Sequence, residues 1–329
     1  MLKYILTLTD KSELPLNSVL SARLDSELDV PADSLSVTVP YSDRLCKNAD
    51  MLSAYSGDSR VFIGQIDESI SVRESGKHLL RLNARSLAAR LLDNEAEPLV
   101  YANPSNQMML DRHLKPFGIT SCEEERHPLY DSIKIDKGMS HWQVLESYCA
   151  KRYGATPRIA DTRALLKGFR AQGEVIFGSG GVRILEMTDS LRRYKLISET
   201  RVRLKNTGGY DSRVVNDNPD AAALTRVRFV NAVADNISLD TARRIIEKGN
   251  RESRLVKIKC AGDLTDILGK SAVIDGEKGF LAVGLSYSLS DKGEFTAVSL
   301  RKESLYVADE LYDEKFHRFA ERRKGRCSG

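Results

Sequence analysis

Ser34-Leu-Ser-Val-Thr-Val-Pro40 is a stretch in which polar and apolar side chains alternate without a break. The alternation places Leu35, Val37 and Val39 on one face, which is the period-two pattern of a strand with one buried face. Similar alternation continues from Val61 to Ala84, around a polar turn at 74–77. That second stretch predicts a long hairpin, so the beginning of the chain predicts a β domain.

A second long hairpin is predicted from 279 to 300, with a charged turn that contains Gly293. Residues 64–71 can be set beside residues 284–290 with one residue of slip, so that Gly64 matches Gly284. An internal duplication would explain this likeness, and so would the convergence of two unrelated alternating hairpins. Both explanations stay open on the pattern alone.

The segment from 94 to 165 differs from its neighbours and predicts a mixed α/β region. Asn103 and Pro104 together predict a helix start, with Asn as N-cap and Pro at the first helical position. Ser140 and Gln143 have the spacing of a capping box and predict the start of a second helix. A further helix is predicted near 238–248, with a solvated charged face. The Met and aromatic residues of the middle segment predict a core and not a cofactor site; they are Met108, Met109 and Trp142.

Composition excludes several classes of protein. The chain has 329 residues, of which 41% are apolar and 29% charged, which indicates a globular chain of about two domains. Its 50 basic and 46 acidic residues nearly cancel, which argues against strong attraction to nucleic acid or to an anionic membrane. No apolar run reaches the length of a signal-peptide core or a spanning helix. The five cysteines show no paired spacing, which favours reduced thiols and a cytoplasmic origin.

Three clusters of residues are candidates for a metal, phosphate or catalytic site. The histidines and cysteines of the middle segment match no zinc spacing; they are His113, Cys122, His127, His141 and Cys149. Residues 178–181 contain three glycines but lack the Lys-Ser/Thr of a phosphate loop, so a turn between strands is predicted. Residues 123–125 are three glutamates, for which a solvated loop is predicted and not acid–base catalysis. We therefore predict no catalytic, cofactor-binding or metal-binding residue, no cofactor and no enzymatic activity.

The ordered set of motifs resembles phage tail baseplate hub proteins, namely those of Mu-like phages, prophages and tail-like bacteriocins. The resemblance rests on residues 24–40, 61–67 and 83–93, and then on 115–119, 140–146 and 151–154. It is most specific from residue 20 to 160 and extends more weakly to 305. It implies an α+β, mainly β chain with two tail-tube-like β-barrel domains, at 1–93 and 166–305. An inserted α/β domain at 94–165 separates them, and a charged tail at 306–329 follows.

The resemblance also implies a structural function. Three chains would form a ring that adapts a three-fold spike to the six-fold tail tube, in a contractile or a non-contractile tail. The implied partners are two further copies of the chain, the tail tube protein, a separate spike or needle protein, other baseplate proteins, and DNA or a tape-measure protein in the lumen, with no membrane. The implied location is the baseplate of a virion or tail-like particle assembled in the host cytoplasm. Two alternatives are another tail-tip or baseplate adaptor and a peptidoglycan-degrading tail enzyme.

Overall fold

The computed structural model describes residues 1–302 except 126–128, 130, 170, 172, 205–207 and 232–234. The side chains of 235–238 and 240 are likewise outside the description. The predicted charged tail at 306–329 and His127 therefore lie outside the described residues. The protein is mainly β, as predicted, and its largest sheet contains 13 strands.

The first part of the chain forms seven strands and two short helices. The alternating stretch around Val37 is a strand whose Leu35, Val37 and Val39 are buried, while its other face carries Ser34, Ser36, Thr38 and Pro40. The long hairpin is present as predicted, with Ser75 and Gly76 in its turn. The elements are β1 (Lys3–Leu8), β2 (Glu13–Pro15), β3 (Ser21–Glu27), β4 (Ser34–Pro40), α1 (Asp43–Asn48), β5 (Ala49–Ser56), β6 (Ser59–Glu74), β7 (Lys77–Ser86) and α2 (Ala88–Asp93).

The middle segment folds around a core of its own. Its strands form two small sheets, and its helical part contains α3, a π-helical turn at Leu110–Leu114 and a 3-10 turn at Lys115–Phe117. The elements are β8 (Val100–Ala102), α3 (Asn106–Met109), β9 (Ser121–Cys122), β10 (Ser132–Lys134), α4 (His141–Tyr153), β11 (Arg158–Ala160) and β12 (Arg163–Leu165).

The two helix starts predicted in this segment have different outcomes. The capping box is confirmed: Gln143 N donates to Ser140 Oγ at 3.3 Å, and Ser140 N donates to Gln143 Oε1 at 2.8 Å. The predicted N-cap at Asn103 is wrong. Ser105 is the N-cap of α3, with its Oγ accepting from Met108 N at 3.1 Å, while Asn103 has a left-handed φ of 50°. The short Ser side chain caps the helix two residues later than the Asn-Pro pair indicated.

The last part of the chain returns to the large sheet. Its second long hairpin, β20 and β21, was predicted. The elements are β13 (Glu174–Phe177), β14 (Glu186–Leu191), β15 (Glu199–Arg203), β16 (Ser212–Val215), α5 (Pro219–Ala222), β17 (Val227–Asn231), α6 (Asp235–Glu252), β18 (Arg254–Ala261), β19 (Ser271–Ile274), β20 (Glu277–Ser290) and β21 (Gly293–Lys302).

A small unit between β14 and β18 was predicted only in part. The sequence predicted one helix, which is present as α6 with Ile246 buried and its charged residues Arg243, Arg244, Glu247 and Lys248 exposed. The structure adds a separate three-stranded sheet in the order β16-β15-β17, in which β15 runs parallel to β17. Two parallel strands must be joined by a long crossover connection, so their pairing leaves no local hairpin pattern in the sequence.

The strand order of the large sheet is β14-β18-β21-β20-β3-β4-β7-β6-β5-β1-β2, with β19 also paired to β20, and β13 paired to β19. The first and the last parts of the described chain therefore contribute to one sheet, and a single hydrophobic core contains Leu35 and Leu80 from the first part together with Val256 and Tyr287 from the last. The middle segment and the small unit are insertions between strands of this shared sheet: the middle segment follows β7, and the small unit lies between β14 and β18.

Candidate assembly surface

The large sheet contains the same set of strand pairings twice. In the first unit the order is β3-β4-β7-β6-β5-β1, and in the second it is β14-β18-β21-β20-β19-β13. If the six strands of each unit are numbered in chain order, both units have the order 2-3-6-5-4-1. The one difference is that β1 is antiparallel to β5 whereas β13 is parallel to β19. We call these the first and the second six-strand unit.

The two long hairpins match residue by residue. Glu74 pairs with Lys77 at the tip of the first hairpin, and Ser290 pairs with Gly293 at the tip of the second. Each outgoing strand skips one residue seven positions before its tip, at Asp67 and at Val283. A bulge at the same place in both hairpins supports a common origin more strongly than alternation does, because a bulge disrupts pairing at one defined point.

This register corrects the alignment made from the sequence. Position 67 corresponds to 283, a difference of 216, so Gly64 corresponds to Phe280 and Gly284 corresponds to Glu68. The pairing of Gly64 with Gly284 was therefore wrong by four residues. The alignment matched two glycines in similar alternating strands, although the two glycines occupy different positions relative to the bulge.

A strand junction joins the two units within the chain. Beyond the bulge, β20 pairs antiparallel with β3 over six residue pairs, from Gly284 opposite Glu27 to Leu289 opposite Ala22. The ladder continues at Leu28, whose N donates to the Val283 carbonyl oxygen at 2.8 Å. Tyr287 is fully buried in this junction, and its hydroxyl donates to Glu294 Oε1 at 2.7 Å. The outer half of one unit's long hairpin thus covers the free edge of the other unit.

The junction is closed on one side by the middle segment. The buried Arg158 guanidinium donates to the Glu27 carbonyl oxygen at 2.8 Å and to Ser26 Oγ at 2.8 Å. It also forms an ion pair with Asp33 at 2.9 Å. Burial raises the pKa of Asp33, and the Arg158 charge opposes that rise. Arg158 therefore connects the middle segment to the edge where the two units meet.

One face of the joined sheet is polar. Strand alternation places the apolar side chains of β3, β4 and β7 in the core and sends the intervening residues to the opposite face. Ser36 Oγ donates to Asn83 Oδ1 at 2.8 Å, and Asn83 Nδ2 donates to Glu68 Oε2 at 2.9 Å, which links three strands across that face. We call this surface the polar sheet face.

Charges on the polar sheet face are mixed. By alternation its charged side chains include seven basic and five acidic ones, namely Arg23, Lys77, Arg81, Arg85, Lys257, Lys259, Arg301, Asp25, Glu27, Glu68, Glu74 and Glu186. Several are neutralised locally: Arg23 contacts Asp25 at 2.7 Å, and Arg85 contacts Asp67 and Asp93. The face therefore has mixed charge and is not strongly cationic, and towards the tip of the first hairpin it also carries Ile70, Val72 and Leu79.

The edges of β14 and of the outer half of β6 are open in the single chain. In the described residues, β14 pairs on one side only, with β18, and the outer half of β6 pairs on one side only, with β7. Met187 and Leu191 of β14 are 48% and 51% exposed, and Leu185 just before it is 45% exposed. A cavity of about 250 Å³ lies beside this edge, lined by Met187, Asp189, Val256, Ile274 and Glu277 together with Arg254 and Asp275. Open edges with exposed apolar side chains are typical of strand-addition surfaces.

The candidate clusters differ in their surroundings. Within the described part of the chain, no group of three His, Cys, Asp or Glu side chains is arranged to hold a metal ion. Cys46, Cys122, Cys149 and Cys260 are free thiols, and burial raises the pKa of Cys149 well above its usual value. Residues 178–181 form a turn after β13, in which Gly181 N donates to the Gly178 carbonyl oxygen at 3.1 Å.

The solvated loop predicted for residues 123–125 is wrong for two of the three glutamates. Glu123 Oε2 accepts from Leu166 N at 2.7 Å, and Glu125 Oε1 accepts from Asn106 N at 2.7 Å. Tyr148 also donates to Glu125, at 3.1 Å. Both carboxylates are half-buried acceptors for donors of the middle segment, and only Glu124 is exposed. A run of like charges in the sequence gave no sign that two of its members accept buried hydrogen bonds.

Two of the middle segment's histidines, for which no metal site is predicted, contact each other. The Nδ1 atoms of His113 and His141 are 2.9 Å apart, and the His113 Nε2 is 3.0 Å from the Tyr101 hydroxyl. Burial, the neighbouring His141 and Arg112 lower the pKa of His113 to about 4. Burial also lowers the pKa of His141.

We expect the protein to lose stability between pH 6.5 and pH 4. In this range the unfolded chain binds a proton at His113 that the folded chain does not bind, so the free energy of unfolding falls by up to about 3 kcal/mol. Urea unfolding at several pH values measures this slope. The variant His113→Gln is expected to flatten it, whereas His78→Gln, on the first hairpin, serves as the control. An unchanged slope in His113→Gln would contradict the assignment.

Solved structures with the same fold include tail proteins and a component of a type VI secretion system. The 43 kDa tail protein of prophage MuSo2 from Shewanella oneidensis superposes with a TM-score of 0.75 and 13% identity, over 92% of this chain and 99% of that chain. A tail protein from Neisseria meningitidis superposes with a TM-score of 0.72 and 21% identity, over 92% of this chain and 97% of that chain. A component of the E. coli type VI secretion system, described as similar to bacteriophage T4 tail proteins, superposes with a TM-score of 0.53 and 11% identity. The match covers 87% of this chain and 74% of that chain.

The resemblance seen in the sequence is thus confirmed at the level of the fold. No protein-family model matches the sequence, and no curated protein matches it. At these identities the shared property is the three-dimensional arrangement, which agrees with a chain whose two units repeat strand pairings without repeating residues. In the part of the chain that the structure describes, none of the helices could cross a membrane.

Proposed function

We propose that this protein is the structural hub of a phage tail or phage-tail-like particle, in which three chains form a ring between a three-fold spike and the six-fold tail tube. The observation that carries the proposal is the repeated six-strand unit. Because one chain contains two equivalent units, three chains supply six, which is the number that a six-fold tube requires. Tail proteins with the same fold support this assignment.

In this proposal each six-strand unit belongs to one tube-like β-barrel domain, at 1–93 and 166–305, and the middle segment at 94–165 is an insertion that differs between alternating positions of the ring. The path β14-β18-β21-β20-β3-β4-β7-β6 supplies eight strands per chain, so three chains would supply 24. Strands about 4.8 Å apart and tilted by about 40° would then enclose a backbone cylinder roughly 45–50 Å across.

The polar sheet face would line the channel of this ring. Its mixed charges suit a channel through which DNA or a tape-measure protein passes, since a strongly cationic lining would hold the phosphates of DNA by many ion pairs. The partners of the ring would be the tube protein on one side and a spike or needle protein on the other, with other baseplate proteins outside. The role is structural and involves no catalysis.

Electron microscopy of the assembled particle tests this function. We expect three copies of the chain per ring and a six-fold outline at the inner wall, because the two units of each chain would occupy equivalent positions. Six copies per ring, or a single copy per particle, would contradict the proposal. A single copy would favour the alternative of a tail-tip adaptor.

A further inference from the structure

We infer that β14 of one chain pairs antiparallel with residues 68–73 of a second copy of the same chain, in the register that the chain already uses at its internal junction. This inference rests on the proposed ring and specifies the contact that would close it. The repeat identifies the partner. Within one chain the hairpin of the second unit covers the edge of the first unit, at β3. The hairpin of the first unit and the edge of the second unit, at β14, are left to pair between chains.

The register follows from the equivalent positions. Residues of β20 correspond to residues of β6 with a difference of 216, as fixed by the hairpin tips and bulges. Residues of β3 correspond to residues of β14 with a difference of 165, through the pairings of β3 with β4 and of β14 with β18. The internal pair Arg23–Ser288 therefore corresponds to Thr188 of one chain opposite Val72 of the next.

Burial supports the equivalence of the two edges. On β3 the side chains of Ala22 and Leu24 face the core and are buried by the incoming hairpin. The corresponding residues of β14 are Met187 and Asp189, and Met187 is 48% exposed. The second unit thus presents to solvent the same positions that the first unit covers. The cavity of about 250 Å³ lies on this side of β14, where an incoming strand would place its side chains.

Charge at the inferred contact is also complementary. The register places Glu68 of one chain directly opposite Arg192 of the next, at the end of the ladder. It also places Arg73 opposite Met187 and diagonal to Asp189 on the same face, within reach of a long side chain. Asp189 and Glu277 are two of the three carboxylates that line the cavity. Arg254 of the same chain already forms ion pairs with both, at 2.8 Å and 2.9 Å, so an incoming arginine would join this cluster, and the Glu68–Arg192 pair is the new charge match at the contact.

Paired cysteines test the contact at residue resolution. In the internal ladder Leu28 N donates to the Val283 carbonyl oxygen, so Arg23 and Ser288 form a non-hydrogen-bonded pair further along. Such pairs have Cα atoms about 4.5 Å apart, which a disulfide can bridge. We propose the double variant Val72→Cys with Thr188→Cys, in a background where Cys46 and Cys327 are changed to Ser.

On mild oxidation at high protein concentration, we expect non-reducing gels to show covalent dimers and then a closed trimer. The matched positive control is Arg23→Cys with Ser288→Cys, the equivalent pair inside one chain, which is expected to oxidise within the monomer. The register control is Val72→Cys with Met187→Cys, because Met187 lies on the opposite face of β14 and its Cβ cannot meet that of residue 72.

The outcomes separate this contact from the proposed function. A closed covalent trimer supports both. Cross-linking that ends at a dimer, or at a ring of another size, supports the contact and contradicts the trimeric hub. Complete oxidation of the internal control together with no cross-link between residues 72 and 188 would overturn the contact. Equal cross-linking of the register control would overturn the register.

Discussion

Replacing Arg158 by Met is expected to lower the free energy of unfolding by about 3–5 kcal/mol, because it leaves the Asp33 carboxylate buried without its countercharge. The Arg158 side chain is only 6% exposed and that of Asp33 only 15%. The substitution also removes the donors to Ser26 and to the Glu27 carbonyl oxygen at the internal junction. The midpoint of urea unfolding measures the loss.

A matched control for this prediction exists on the same interface. Arg60 also joins the first unit to the middle segment, through an ion pair with Asp161 at 2.6 Å, but that pair is partly exposed, at 29% and 42%. We expect Arg60→Met to cost less than about 1 kcal/mol, as exposed ion pairs usually do. Adding Asp33→Asn to Arg158→Met is expected to recover part of the stability, since it removes the buried charge. Equal losses in the two single variants would contradict the account.

Strands of the large sheet were predictable because their decisive property is local. In β4 every second residue is apolar, and every one of these is buried, so the pattern alone determines which face meets the core. Both long hairpins and the capping box at Ser140 were predictable for the same reason. Each depends on residues that are close in the sequence and that meet in the structure through a turn.

The strand junction and the fold's repeat could not be derived in this way. Pairing of β20 with β3 joins residues that are more than 250 positions apart, and neither strand carries a local mark of its partner. The alternation of β14 is also concealed, because Met187 and Leu191 are separated by Asp189 on the face that corresponds to the core side of β3. The sequence therefore predicted the two hairpins. Which residue of the first hairpin corresponds to which residue of the second could be determined only from the strand register in the structure.

The roles of single buried polar residues were the least predictable feature. Arg158, Glu123 and Glu125 look like surface charges in the sequence, and each accepts or donates hydrogen bonds inside the structure. Their partners are backbone groups and side chains brought near by the fold, at sequence distances from 19 to 132 residues. A charge becomes a structural residue only through such partners, and spacing does not reveal them.

The two glycines that look equivalent in the sequence are expected to respond very differently to alanine. At Gly64 an added Cβ would lie 2.2 Å from the Arg85 carbonyl oxygen and 2.6 Å from the Phe62 ring, so backbone on the paired strand must move. We expect Gly64→Ala to lose about 3 kcal/mol or more, at the upper end of what overpacking costs.

At Gly284 an added Cβ would lie 3.2 Å from Glu27 Cγ and 3.5 Å from Ser299 Cβ, and the nearer atom belongs to a flexible side chain that can shift. We therefore expect Gly284→Ala to change stability by less than about 1 kcal/mol. Urea unfolding of both variants, with circular dichroism to confirm that each folds, measures the difference. If Gly64→Ala does not fold at room temperature, the same variant is measured at lower temperature in the presence of a stabilising osmolyte. Equal losses at the two sites would show that the strand pairing around Gly64 is looser than the 2.2 Å approach to Arg85 implies.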